Sequence, residues 1–202
     1  MRSMQDVIQL TTALIQSRQT ILPKRLHAPG PDAEQLQSIL DAAAHAPDHG
    51  QLLPWRFVII PDTARAALGD VFANALLERD AAATPDQVQQ AREKAFRAPL
   101  LMLLVVEDKR GDANIDFAER ALSAGCAVQN MLLMATALGF GSALTSGKAL
   151  KSDPLRVLFS LGGDEHAICF VSIGTAERNK QARIRPVSTQ YVTNLGNDLN
   201  EH

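Results

Sequence analysis

The sequence predicts an α+β architecture, a central sheet flanked by helices, and three features of the chain point to it. Two short, almost wholly apolar segments, LLMLLVV (100–106) and ICFVSIGT (168–175), have the length and composition of buried strands. Residues 116–138 read as a long helix that is apolar on nearly every side from Ala121 onward, with Leu122, Val128, Met131, Leu132, Leu133 and Met134. Helical and strand patterns are interspersed along the chain with long helical crossovers, which favours packed layers around a sheet.

The 202 residues and 46% hydrophobic content are enough for one domain with a substantial core. Net charge is -2 and the 20 Lys and Arg are scattered, so the basic footprint of a nucleic-acid binder is missing. The opening MRSMQDVIQLTTALIQSR mixes Gln, Thr and Asp into its apolar positions and does not read as a signal peptide. PLLMLLVV (99–106) is far short of the roughly 20 residues of a membrane helix. Cys126 and Cys169 have no partner at ligand spacing and read as free, buried thiols of a reducing compartment, so a cytoplasmic protein is expected.

Taken in order, Val7, Ile8, Leu10, Leu14 and Ile15 recur at helical spacing, giving an amphipathic first helix that ends between Ser17 and Thr20. Pro23, Pro29 and Pro31 then make residues 22–31 an extended connection. Asp32 caps a second helix with Leu36, Ile39, Leu40 and Ala43 on its buried side, and Pro47 closes it. WRFVII (55–60), held between Pro54 and Pro61, reads as a strand with Trp55 as a core aromatic. Residues 63–97 read as two helices parted at Thr84-Pro85, and GFGSALTSG (139–147) as a glycine-rich bend that stops the long helix. From Glu177 the tail is polar and irregular.

Four segments carry side chains suited to ligand binding. SRQT (17–20) places a cation and two hydroxyls at a helix end, an inventory that can hold a phosphate or a flavin edge, although a lone Arg there also simply complements the dipole. HAPDHGQLLPW (45–55) gathers two histidines, an Asp, a Gln and a Trp at one turn. Pro47 breaks the helical face that would let His45 and His49 share a metal, so no metal site is expected; they hydrogen-bond a heterocycle or serve the loop. GFGSALTSG lacks both the dinucleotide glycine fingerprint and the elbow of a serine nucleophile. NKQARIRPV (179–187) is a short basic cluster, either solvated or anion-binding.

In this order, together with AFRAPLLMLLVV and ERALSAGCAVQNMLLMATALGFG, these segments resemble the nitroreductase family, in its small single-domain branch, over about residues 7–192. The APDHxxxxPW turn and the SAGCAVQNM helix are the specific parts. The resemblance implies one domain over 1–202, a mostly antiparallel sheet, an intertwined homodimer, and FMN pockets at the subunit interface with hydride exchange at the flavin. It implies FMN contacts for Arg18, Gln19 and Thr20, for His45 and His49, and for Leu144, Thr145 and Ser146. It implies a nicotinamide-nucleotide site at Met134, Ala135, Thr136, Ala137, Leu138 and Gly139. Gln19 and Leu144-Thr145 stand where the relatives carry basic or Trp-Arg residues; Arg183 and Arg185, ahead of Pro186, are the expected replacement charge.

The implied activity is transfer of hydride from NAD(P)H through FMN to a nitroaromatic, quinone or similar small acceptor, both substrates using one pocket in turn. Other flavin reactions on the same fold, such as dehalogenation, dehydrogenation or flavin fragmentation, and a non-catalytic flavin-binding dimer are the alternatives.

Overall fold

The computed structural model describes residues 3–176 and 184–195. Its helices are α1 (Met4–Ser17), α2 (Ala33–Ala43), α3 (Asp62–Arg79), α4 (Pro85–Glu93), α5 (Phe117–Ala137) and α6 (Asp153–Leu158). Its strands are β1 (Leu26–His27), β2 (Trp55–Ile59), β3 (Leu100–Glu107), β4 (Gly141–Thr145) and β5 (Glu165–Ala176). The sheet runs β2–β3–β5, and the other edge of β5 is shared along its length by β4 and then β1. Among the described residues all strand pairs are antiparallel, and one parallel bridge joins Thr20 to Ser142.

Local chemistry sets the helix starts. Asp32 caps α2, its carboxylate accepting from the Gln35 amide at 2.9 Å while the Gln35 side chain accepts from the Asp32 amide at 3.0 Å. Thr84 and Gln87 make the same reciprocal pair at α4, with Pro85 at the first helical position, where its missing N–H costs nothing. Asp116 caps α5 by accepting from the Glu119 amide.

β3 explains its own uninterrupted apolar sequence, because both faces of the sheet are covered. Leu100, Met102, Leu104 and Val106 join Cys169, Val171 and Ile173 of β5 under α2 and α5. Leu101, Leu103 and Val105 join Phe170 under α3 and α6, whose Leu68, Val71 and Leu155 are buried there. Trp55 is buried in the first of these cores, as expected of a strand-start aromatic. Arg120, 1% exposed, donates to the carbonyls of Ile115, Arg110 and Asp112 and so pins the loop that enters α5.

Two parts of the chain differ from the sequence reading. Residues 22–31 hold a 3-10 turn at Pro23–Arg25 and the short strand β1 rather than a plain extended link. GSALT, read as part of a bend, is strand β4. Its small residues reflect close packing: a Cβ on Gly141 would stand 2.9 Å from Leu26 Cδ2 and 3.0 Å from Ile21 Cγ1. The turn Lys148–Lys151 and helix α6 fall where the sequence offered no periodic pattern long enough to name.

Helices α1 and α5 leave apolar surface uncovered. No residue of α1 is buried, and Val7, Ile8, Leu10 and Ile15 are each more than half exposed. Leu122, in the first half of α5, is 70% exposed. An amphipathic helix gains its stability from burying its apolar face, so this arrangement asks for a covering surface.

Candidate cofactor and substrate cavity

A cavity of about 530 Å³ opens on the α3/α4 side of the sheet. Its floor is Leu101, Phe170 and Ser172 from β3 and β5, with Leu150 beside them. Phe72, Ala75, Leu76 and Arg79 of α3 and Gln87, Gln90 and Ala91 of α4 form one wall. The opposite wall is Thr145–Ala149 at the end of β4, with Leu22 and Pro23 alongside. Phe72 and Phe170 meet edge to face with centroids 5.5 Å apart, so the apolar part of the wall is rigid.

Among the described residues, four cations line the cavity, Arg79, Lys94, Arg97 and Lys148, and no carboxylate does. None of the four forms an ion pair among the described residues. Lys94 and Arg97 are carried by a 3-10 turn that a buried arginine holds in place. Arg65, 2% exposed, donates to the carbonyls of Ile60 at 3.0 Å, Ala95 at 2.7 Å and Pro99 at 3.3 Å. Burial lowers its pKa from the ordinary arginine value, partly offset by Asp62. Just after that turn the buried Ala98 adopts φ 68°, a left-handed backbone unusual for a non-glycine residue. A cavity with this lining can hold a planar ligand that carries negative charge and presents amide-like edges to Gln87 and Gln90.

The first and third sequence segments meet at β4, but Arg18, Gln19 and Thr20 are not among the residues that line the cavity. Arg18 is the C-cap of α1, Thr20 bridges to Ser142 of β4, and the Ile21 amide donates to the Ser142 carbonyl at 2.9 Å. The chain then reaches the cavity at Leu22 and Pro23. Gln19, between Arg18 and Thr20, is half-buried. Thr145 and Ser146 line the cavity, whereas Leu144 lies opposite Val171 and therefore faces the α2/α5 side.

His45 and His49 are exposed and lie on the α2/α5 side, where His49 Nδ1 is 2.7 Å from Glu119 in the first turn of α5. Their loop is conformationally costly: Gly50, Gln51 and Leu53 have φ of 69°, 52° and 48°. The Asp48 carboxylate holds the loop by accepting from the Leu53 amide at 2.7 Å. Within one chain the histidines and the cavity therefore stand on opposite faces of the sheet. Met134–Ala137 form the last turn of α5 on that same α2/α5 side, with Leu138 and Gly139 just beyond it; Ala135 is fully buried and the Thr136 hydroxyl donates to the Leu132 carbonyl. Gly139, at φ 86°, ends the helix in the left-handed conformation. Arg185 is exposed in the C-terminal segment, and Arg183 lies outside the described residues.

The sequence missed Arg79, Lys94, Arg97, Lys148 and Ser172. The cations come from the end of α3, the turn after α4 and the turn after β4, and each reads in sequence as ordinary solvated charge. Ser172 carried a usable signal: it is a lone hydroxyl in the middle of an apolar strand.

Comparison with known proteins agrees with this fold. The family model described as "Nitroreductase family" matches residues 15–175. A Haemophilus influenzae protein named "Putative NAD(P)H nitroreductase" is 34% identical over 173 residues, 85% of this chain and 93% of its own length. The Escherichia coli K12 protein named "Putative NAD(P)H nitroreductase YdjA" is 34% identical over 171 residues, 84% of this chain and 91% of its own. Among solved structures, a mutant of the FMN- and NADPH-dependent nitroreductase NfnB shares the fold at a TM-score of 0.72 and 17% identity, covering 92% of this chain and 98% of its own. With its layered antiparallel sheet, a family model that matches residues 15–175 and relatives at one-third identity over most of their length, the chain belongs to the nitroreductase family.

Proposed function

We propose that this chain is an FMN-dependent oxidoreductase that takes hydride from NAD(P)H and reduces small electron-poor acceptors such as nitroaromatics or quinones, as a homodimer in the cytoplasm. The observation that carries it is the cationic cavity bounded by Thr145–Gly147 and by Leu22 and Pro23, with no acid among its described lining residues. Its volume of about 530 Å³ suits a cofactor-sized ligand. The names of the relatives at 34% identity, and of the FMN- and NADPH-dependent structural neighbour, support the reading.

The residues present fit an FMN. Arg18 and the Thr20 hydroxyl would serve its phosphate, with Arg183 and Arg185 as further charge. Lys94 and Gln90 would meet the pyrimidine edge, and the backbone of Thr145–Gly147 would lie along the ring. Gly147 suits this, since nothing stands within 4 Å of where its Cβ would be. Bound there, FMN supplies the hydride-accepting and hydride-donating centre. The protein's own work is positioning and charge. Phe72, Leu101 and Phe170 exclude water from the floor, and Lys94 and Arg97 favour the electron-rich state of whatever the cavity holds. Holding nicotinamide and then acceptor against one ring face is a proximity effect that needs no side-chain acid or base. The nicotinamide-nucleotide role of Met134–Gly139 rests on the resemblance alone. His45 and His49 would serve the flavin of a partner subunit, since their own chain's cavity is across the sheet, and the bare faces of α1 and α5 supply the surface for that dimer. The two free thiols suit a reducing compartment.

The test is a titration of flavin-free protein with FMN, followed by quenching of flavin fluorescence. The parent should bind, and Lys94→Gln/Arg97→Gln should weaken binding about tenfold or more, as loss of two charged hydrogen-bond donors implies. Lys109→Gln, whose ammonium pairs with Asp164 elsewhere on the surface, should leave binding unchanged. A parent that binds no FMN refutes the reading. A double variant with parental affinity places the flavin elsewhere.

A further inference from the structure

The flavin reading gives work to Lys94 and Arg97 and leaves the other two cations of the cavity, Arg79 and Lys148, without a task. Both line the cavity and both are exposed, which puts them at its mouth, on opposite walls. Each is carried by a fixed stretch of backbone. Arg79 closes α3, where the Asp80 amide donates to the Leu76 carbonyl at 2.9 Å. Lys148 opens the 3-10 turn Lys148–Lys151, whose Leu150 is buried in the core and donates its amide to the Gly147 carbonyl at 3.1 Å. Neither cation forms an ion pair among the described residues. Glu78 and Asp80 flank Arg79 in sequence, yet neither lines the cavity. Complementing the α3 dipole accounts for Arg79 alone; Lys148 has no helix end to serve.

We propose that Arg79 and Lys148 set the choice of reductant by binding the 2′-phosphate of NADPH, so that this chain prefers NADPH to NADH. The inference rests on the flavin reading of the same cavity. The nicotinamide must reach the flavin inside, so the adenosine half of the dinucleotide lies toward the mouth. The two nucleotides differ only at the adenosine 2′ position, a hydroxyl in NADH and in NADPH a phosphate monoester of about −1.5 to −2 charge at pH 7. A site that selects the ribose diol offers it a carboxylate acceptor. Among the described residues no carboxylate lines this cavity, whereas a guanidinium and an ammonium from two walls suit a phosphate dianion. Even before contact, a positive mouth favours the more negative of the two nucleotides.

The probes are NADP+ and NAD+, which differ by that phosphate alone and are not turned over by oxidised protein. They are titrated calorimetrically into FMN-loaded and into flavin-free protein. The expected result is NADP+ bound about tenfold tighter at low salt, with the gap closing as salt rises. Arg79→Gln/Lys148→Gln should remove the gap by weakening NADP+ and leaving NAD+ and the melting temperature parental. Lys151→Gln, the same loss of charge at the far end of the same turn but outside the cavity lining, should keep the gap. Equal affinities in a parent that binds FMN overturn the inference and leave the flavin reading standing. So does a double variant that weakens both nucleotides alike, because the pair would then hold the pyrophosphate they share. FMN carries a phosphate monoester of its own, so the double variant is also titrated with FMN and with riboflavin; loss of the preference for FMN assigns the two cations to the cofactor and overturns the inference. A protein that binds no FMN but prefers NADP+, with the preference removed by the double variant, upholds the phosphate site while the flavin reading falls.

Discussion

Replacing Arg65 with methionine keeps most of the side-chain volume and removes the guanidinium that holds the turn bearing Lys94 and Arg97. Three carbonyls, those of Ile60, Ala95 and Pro99, lose their donor together. At 2% exposure water cannot replace it. A hydrogen bond to a charged group contributes about 1.5–3 kcal/mol, and a stranded buried acceptor costs about 1–3 kcal/mol. These do not sum, and releasing the arginine from its desolvation penalty offsets part of them, leaving a net loss of about 3 kcal/mol. For a chain of this length that lowers Tm by roughly 6–12 °C. Arg65→Lys should fare almost as badly, because one ammonium cannot span three carbonyls in fork geometry. Thermal melts followed by circular dichroism in FMN-free buffer read the effect. A Tm for Arg65→Met within about 2 °C of the parent would show that the guanidinium does not organise this turn.

Gly141→Val should lower Tm by several degrees, since even its Cβ would press on Leu26, Ile21 and the Ala176 Cβ at 2.9, 3.0 and 3.1 Å, and overpacking costs about 1–3 kcal/mol. Gly163→Ala, with nothing within 4 Å, should melt like the parent. Burial pushes the Cys169 thiol up from 9.0 to about 11. Its contribution is therefore intact below pH 9 and is lost as pH rises toward 11, by roughly 3 kcal/mol. Urea melts of the parent and of Cys169→Val across that window should show the parent losing stability relative to the variant as pH rises; parallel curves would refute the assignment.

Much of the fold was legible because its strongest signals are local. β3 and β5 announce themselves through apolar runs that only a doubly covered sheet explains, and the caps at Asp32 and Thr84-Pro85 mark helix starts in a few residues. β4 was not legible, because the packing that requires Gly141, Ser142 and Ala143 comes from Leu26 and Ile21, far off in sequence, and small residues otherwise signal a turn. At the site, Thr145 and Ser146 could be named only from a resemblance, and the structure adds that they share a cavity while Leu144 faces away. Arg79, Lys94 and Lys148 converge from α3, the turn after α4 and the turn after β4, and no short window of sequence shows that convergence. His45 and His49 lie opposite the cavity in one chain, so their part in any flavin site depends on a second subunit.

The most direct test of the account is the visible spectrum of FMN-loaded protein under anaerobic conditions before and after NADPH, and separately NADH. Loss of the flavin band near about 450 nm with at least one of the two, and its return on adding a nitroaromatic or a quinone, is the predicted result. A bound flavin that neither nucleotide bleaches would contradict it.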